Sequence, residues 1–358
     1  MTADGTADGT ADGTTDGTTD GTTEGTTEGT TEGTTDVVLI GCGGVGWKRA
    51  AALPDRCRLV AAADTVRERA ERLVEALAPV ARAGSEPADA LASGDGGLAI
   101  VATPHSDLVP ASVAALEAGW DVLVEKPGAD RLAPLLTLRD AAAAAGRTVR
   151  VGFNHRFHPA VRTAAGLLAG ADHGPLMHIR AHYGHGGRPG YELEWRADPT
   201  VSGGGELLDQ GVHLIDLVRH FAGDVDLAFA ECRTDFWRMD VEDNAFLALR
   251  PRAGGFAWLH ASWTEWKNTF SFEIALRRAK LHISGLGGSY GTERLTLYEM
   301  LPGMGPPETR AWEWPQADAS WRLEVEDVLS VLAGGPGVGT SLDDCIAVHR
   351  IVEEVYAR

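Results

Sequence analysis

The stretch DVVLIGCGGVGWKRAAAL, residues 36–53, decides the fold. An apolar, β-branched run leads into Gly41-x-Gly43-x-x-Gly46, and an Ala-rich helix former follows at once. Strand, glycine turn and helix in that order are what dinucleotide binding requires. The first glycine permits a tight turn, the second lets backbone approach a pyrophosphate, and the third lets the helix pack close to the strand. Gly44 and Val45 open the helix, whose free N–H groups and positive dipole end suit the phosphates. In a chain with 44 glycines the spacing alone is weak, so the flanks carry the reading.

Working outward, RLVAAAD ends in Asp64, 18 residues after Gly46, where an acid can take the hydroxyls of an adenosine ribose. An acid there repels a 2′-phosphate, which favours NAD over NADP, although Arg67 is close in sequence. The plainer alternative is an Asp capping the next helix. GLAIVATP, DVLVEKPG and TVRVGF then alternate with helical stretches, which predicts a parallel sheet covered on both faces. Ligands bind beyond the C-terminal ends of such strands. Besides the glycine turn and Asp64, those ends present Thr103-Pro104-His105, Glu125-Lys126-Pro127 and Asn154-His155-Arg156. Thr103, Pro104, His105, Glu125, Lys126 and Asn154 are therefore candidate cofactor contacts. Lys126 stands out because the chain holds only Lys48, Lys126, Lys267 and Lys280.

Residues 1–35 repeat ADGT, TDGT and TEGT, with no large apolar residue after Met1. Such a segment cannot repay the entropy of ordering, so a disordered acidic tail is expected. Its eight acids take the formal charge of −19 to −11 for the remainder. An acidic body argues against nucleic acid or an anionic membrane as partner, since both need clustered Lys and Arg. No run approaches the length of a membrane span, and no signal peptide is legible. Cys42, Cys57, Cys232 and Cys345 are scattered, which fits reduced thiols in a cytoplasmic protein.

From about residue 175 the pattern becomes successive strands: LMHIRAHYG, DLAFAECR, NAFLALR, FAWLHASW, FSFEIALRR, KLHISG and RLTLYEM. Strands without intervening helices predict an antiparallel or mixed sheet, hence an α+β second domain. The exception is GGGELLDQGVHLIDLVRHFAG, residues 203–223, read as a helix entered from a glycine-rich loop and closed by Gly223. Asp209 and His213 are i and i+4 on it and should share a face. The pair can be read as an acid–base couple, as half of a metal site with His178, His182 and His185, or as an ordinary helix hydrogen bond. The glycines lack the ending of a P-loop. No metal site is assigned.

GCGGVG after a strand, EKP near residue 126, GFNHRFHPA at 152–160 and GGGELLDQGVHLID at 203–216, in this order, resemble the Gfo/Idh/MocA oxidoreductases. The resemblance runs from about residue 36 to the C-terminus. It implies an N-terminal Rossmann domain, a doubly wound parallel sheet at 36–153. It also implies a C-terminal α+β domain at 154–358, with a large open, mostly antiparallel sheet whose face forms the interface of a homodimer or homotetramer. It implies NAD(P) chemistry on a secondary alcohol or ketone of a sugar, nucleotide sugar or (amino)cyclitol. It assigns the catalytic group to Lys126, Asp209 and His213. The chain departs from the family's TPN pattern, since His105 stands where many members have Asn.

Removing a hydride from carbon requires the neighbouring hydroxyl to lose a proton, and a neutral histidine suits that task at physiological pH. His213 is expected as the base, Asp209 as the group holding its ring, and Lys126 as the charge that favours the developing alkoxide. Arg156, Arg188, Tyr191, Trp195 and Arg196 are expected substrate contacts. An NADPH-dependent ketosugar reductase is the nearest alternative; a non-catalytic NAD-binding regulatory protein or an acidic tail serving a basic partner is further away.

Overall fold

The computed structural model describes residues 33–170 and 172–358, so the acidic repeat lies almost wholly outside the described residues. Among those described, the chain builds two sheets. The first starts with β1 (Thr35–Ile40), β2 (Cys57–Ala63), β3 (Arg82–Gly84), β4 (Leu98–Val101), β5 (Asp121–Glu125) and β6 (Val149–Gly152). Their spatial order is β6-β5-β4-β1-β2-β3, all parallel, with the switch of direction between β1 and β4. This is the doubly wound order expected from the glycine turn. β1 and β4 are buried along most or all of their length, as continuous apolar runs must be when helices cover both faces.

The second sheet is formed by β7 (Leu176–Gly184), β8 (Val225–Arg233), β9 (Asn244–Pro251), β10 (Phe256–Ser262), β11 (Thr269–Leu276), β12 (Ala279–Ser284), β13 (Glu293–Glu299) and β14 (Glu308–Trp314). Its order is β14-β13-β12-β11-β7-β10-β9-β8. Only the β7–β10 pair is parallel, and the helix Val212–Ala222 lies between these strands in the chain. Ile179, Ala181 and Tyr183 of β7 are buried on the inner face with Leu214, Ile215, Leu217 and Val218 of that helix. Side chains alternate along a strand, so His178, Arg180 and His182 take the outer face.

After the second sheet the chain crosses back to the first. The helix Ser320–Leu332 returns to the first domain, where Val325, Val328 and Leu329 complete the core around Val37, Leu39, Leu98 and Ile100. β15 (Thr340–Ser341) then adds antiparallel to the edge strand β6. Each such buried aliphatic side chain stabilises by about 1.5–3 kcal/mol, which makes this return part of the first domain's stability. A buried ion cluster fastens it further. The Arg49 guanidinium, fully buried on the first helix, bonds Glu125 at the end of β5 and Glu324 on the returning helix.

Candidate active site

The coenzyme cradle follows from backbone geometry. Gly41 has φ +96, and a Cβ there would sit 2.5 Å from the Ala102 carbonyl oxygen. Over Gly43 and Gly44, by contrast, a Cβ would meet nothing within 4 Å. Gly43 caps the helix Gly44–Ala51 without any side-chain bond, so the first N–H groups face open space. A helix start with free backbone donors and room beside Gly43 and Gly44 fits a pyrophosphate. Asp64 follows β2, and its carboxylate accepts from the backbone N–H of Cys42 at 2.8 Å and of Val66 at 2.9 Å, so it is fixed against the glycine turn. Arg67, the basic residue weighed from sequence, is paired with Glu71; Arg69 instead lies 3.7 Å from Asp64.

Lys126 follows β5 directly, and Pro127 after it joins it through a cis peptide. Its ammonium bonds the Asp209 carboxylate and, at 2.6 Å, the Asp209 carbonyl, which brings a strand end of the first domain onto the second domain's helix. Arg196 approaches the other Asp209 oxygen at 3.3 Å. Burial alone would raise the Asp209 carboxyl, but Lys126 and then Arg196 hold it well below the usual carboxylate range. His105 opens the helix after β4. Its Nδ1 donates to the Ser202 carbonyl at 2.8 Å, and its ring meets Trp195 edge-on at 4.9 Å. Burial and then Lys126 push His105 down to about 4.

Asp209 does not hold the His213 ring, contrary to expectation. The segment Leu207–Gly211 is a π-helical turn, and regular α-helix begins only at Val212. The wider turn breaks the i,i+4 alignment assumed from sequence, and Lys126 takes the carboxylate. His213 Nδ1 is buried without a hydrogen-bond partner, and its ring stacks on His155 at 3.7 Å between centroids. Burial first and Lys126 second place His213 well below its ordinary range, which keeps it neutral.

The expected substrate contacts divide. Arg156 is a correction: its Nε and Nη2 donate to Asp216 at 2.9 and 2.7 Å and its Nη1 to the Val338 carbonyl at 3.3 Å, which leaves it no reach towards a ligand. Asn154 likewise turns inward and donates to Ser320 Oγ at 2.8 Å. Tyr191 is packed among Trp263, Trp237 and His185 and is 4% exposed, so its ring offers no stacking face. Arg188 projects outward and pairs with Glu194 at 2.6 Å. Trp195 and Arg196 do gather at the cluster, with the Arg196 guanidinium 4.5 Å from the Trp195 ring.

His155 was placed at a strand end by the sequence but given no role, although it stands between two residues that were singled out. Sequence reasoning also passed over Glu206, whose carboxyl is buried with neither oxygen hydrogen-bonded; burial, then Asp209, lifts it well above its usual range. The quoted GGGE stretch contained Glu206, but nothing in the spacing marked it as buried.

Comparison with known proteins agrees with this architecture. Residues 35–153 match the oxidoreductase family with NAD-binding Rossmann fold, and residues 161–288 match the GFO/IDH/MocA C-terminal domain. The chain is 31% identical over 193 residues to inositol 2-dehydrogenase 4 of Saccharopolyspora erythraea, covering 52% of this chain and 54% of that one. It is 26% identical over 255 residues to D-xylose 1-dehydrogenase (NADP(+)) 2 of Haloferax volcanii, covering 70% and 74%. For most such curated relatives the matched stretch spans about half their length. A solved levoglucosan dehydrogenase in complex with NADH superposes with a TM-score of 0.79 at 21% identity, covering 90% of this chain and 97% of that one. On these two matched domains, the chain belongs to the Gfo/Idh/MocA family of oxidoreductases.

Proposed function

We propose that this chain transfers a hydride between NAD and a secondary alcohol or ketone of a sugar, nucleotide sugar or (amino)cyclitol. The observation that carries the reading is the meeting of Lys126, from a strand end of the nucleotide domain, with the helix bearing Asp209 and His213. Relatives named for inositol and xylose dehydrogenation support the substrate class.

Bound nicotinamide supplies the hydride acceptor. The substrate hydroxyl gives its proton to a nitrogen of neutral His213, and the Lys126 ammonium favours the negative charge that develops on the oxygen. Asp209 keeps that ammonium in place rather than orienting the histidine. Stacking on His155 orients the imidazole ring. Trp195 and Arg196 line the approach and offer a flat face and a cation to the substrate.

NAD is preferred because the Asp64 carboxylate, fixed by two backbone N–H groups, repels a 2′-phosphate. NADPH-dependent reduction of a ketosugar is the second reading, favoured by Arg69 beside Asp64 and by the relative named for NADP(+). No helix among the described residues is long and apolar enough to cross a membrane. A cytoplasmic setting and assembly through the open face of the second sheet complete the proposal. The test is a screen for NAD and NADP reduction over polyols, hexoses, nucleotide sugars and aminocyclitols, repeated with His213→Asn. Turnover confined to the wild type is expected, and full turnover by the variant removes His213 from its role.

A further inference from the structure

The outer face of the second sheet carries a cluster that the reaction does not use. His182 on β7 and His260 on β10 are paired positions of the parallel ladder. Glu265 reaches the same place from the loop after β10. One ligand atom from each of the three lies within 4.8 Å of the others. Tyr183 turns towards the catalytic side, its ring 6.2 Å from that of His213, so His182 beside it points away from that site.

Several features separate this cluster from an incidental surface pair. The His260 ring is fixed in plane by stacking on Phe246 at 4.2 Å, and its Nε2 lies 3.0 Å from Asn244 Oδ1. Asn244 is itself held by Asp243 and Thr264, an outer shell of the kind that orients ligating imidazoles. His182 Nε2 is shielded from solvent and lies 3.0 Å from Glu265 Oε1, yet it makes no hydrogen bond. The neighbouring cations Arg180 and Lys280 are both taken by Glu273 and do not neutralise Glu265.

Two imidazoles and one carboxylate are the donor set of a four-coordinate zinc-type ion that keeps one position free; hard ions such as Mg2+ and Ca2+ prefer all-oxygen sites. We propose that His182, His260 and Glu265 hold a divalent transition-metal ion of the zinc class on the outer face of the second sheet. In the single subunit His182 and His260 line a cleft with Arg180, Trp258, Ser271 and Glu273, on the face also proposed for assembly.

The experiment uses the full chain stripped with a chelator and titrated with Co2+ and then Zn2+. One equivalent of Co2+ giving the visible bands of tetrahedral coordination, displaced by Zn2+ and raising the melting temperature, is expected. His182→Ala and His260→Ala should each weaken binding by at least about tenfold. Glu265→Gln, which leaves both strands untouched, should do the same and keeps the test open if a strand variant misfolds. No uptake of either ion at roughly 0.1 mM, or three variants that bind like the wild type, would overturn the site. Because none of the three contacts Lys126, Asp209 or His213, metal binding and turnover are read separately.

Discussion

The Asp209 carboxylate closes on Lys126 of the other domain and leaves His213, four residues along its own chain, without a partner at Nδ1. Asp209 therefore acts on the lysine, and the histidine feels it only through space. Lys126→Ala should lower the rate by at least tenfold, about 1.4 kcal/mol of barrier, and Asp209→Asn by a similar factor. The double variant should lose little more than either single change, because both remove one unit; kcat/KM for the set of variants decides this.

The pH profile follows from the same arrangement. His213 must be neutral to accept a proton, so activity falls as the pH drops through a value below the usual 6.5. After burial, the Lys126 charge is the next cause of that depression. Lys126→Ala should therefore move the acidic limb of kcat/KM towards higher pH, and an unmoved limb would show that another group titrates there.

Two glycines of the turn should respond in opposite ways. Gly41→Ala meets the Ala102 carbonyl at 2.5 Å from a left-handed backbone, so lost stability is expected in denaturant melts. Gly43→Ala meets nothing in the protein and should keep its melting temperature while weakening NAD binding, since its methyl would fill the space that the proposed site leaves for a pyrophosphate.

Arg156 and Asp216 form a buried pair away from the cluster. Arg156→Met leaves an uncompensated carboxylate and should cost about 3–5 kcal/mol of stability in urea melts. The KM for substrate should not change, in contrast to Arg196→Met, whose guanidinium faces the site.

Glu324 provides a stability test. Burial, offset in part by Arg49, lifts its carboxyl from 4.5 to about 7 in the folded chain. A folded value above the unfolded one means the native state binds the proton more tightly. The contribution is full below about 4.5 and is lost as the pH rises towards 7, up to roughly 3 kcal/mol. Glu324→Gln should flatten that decline, as read from melting temperatures at pH 5 and 8.

Much of this was legible because the chemistry is local in sequence. The glycine turn and the strand LMHIRAHYG involve neighbours only, and β7 spans that run. β14 escaped notice because ETRAWEW is an exposed edge with no apolar alternation. The π-helical turn escaped because LLDQGVH fits α-helical spacing equally well. The partner of Asp209 lies 83 positions away, and periodicity carries no information about such a choice. Arg156 was misread for the same reason: its fate depends on Asp216, 60 positions on.

The return of Ser320–Leu332 and β15 to the first sheet makes the second domain an insertion rather than an appendage. Two crossings of the chain, one after β6 and one before Ser320, tether it. Cutting the chain after residue 153 would strip the apolar cover from Val37, Leu39, Leu98 and Ile100, so the nucleotide half is not a module that can be excised.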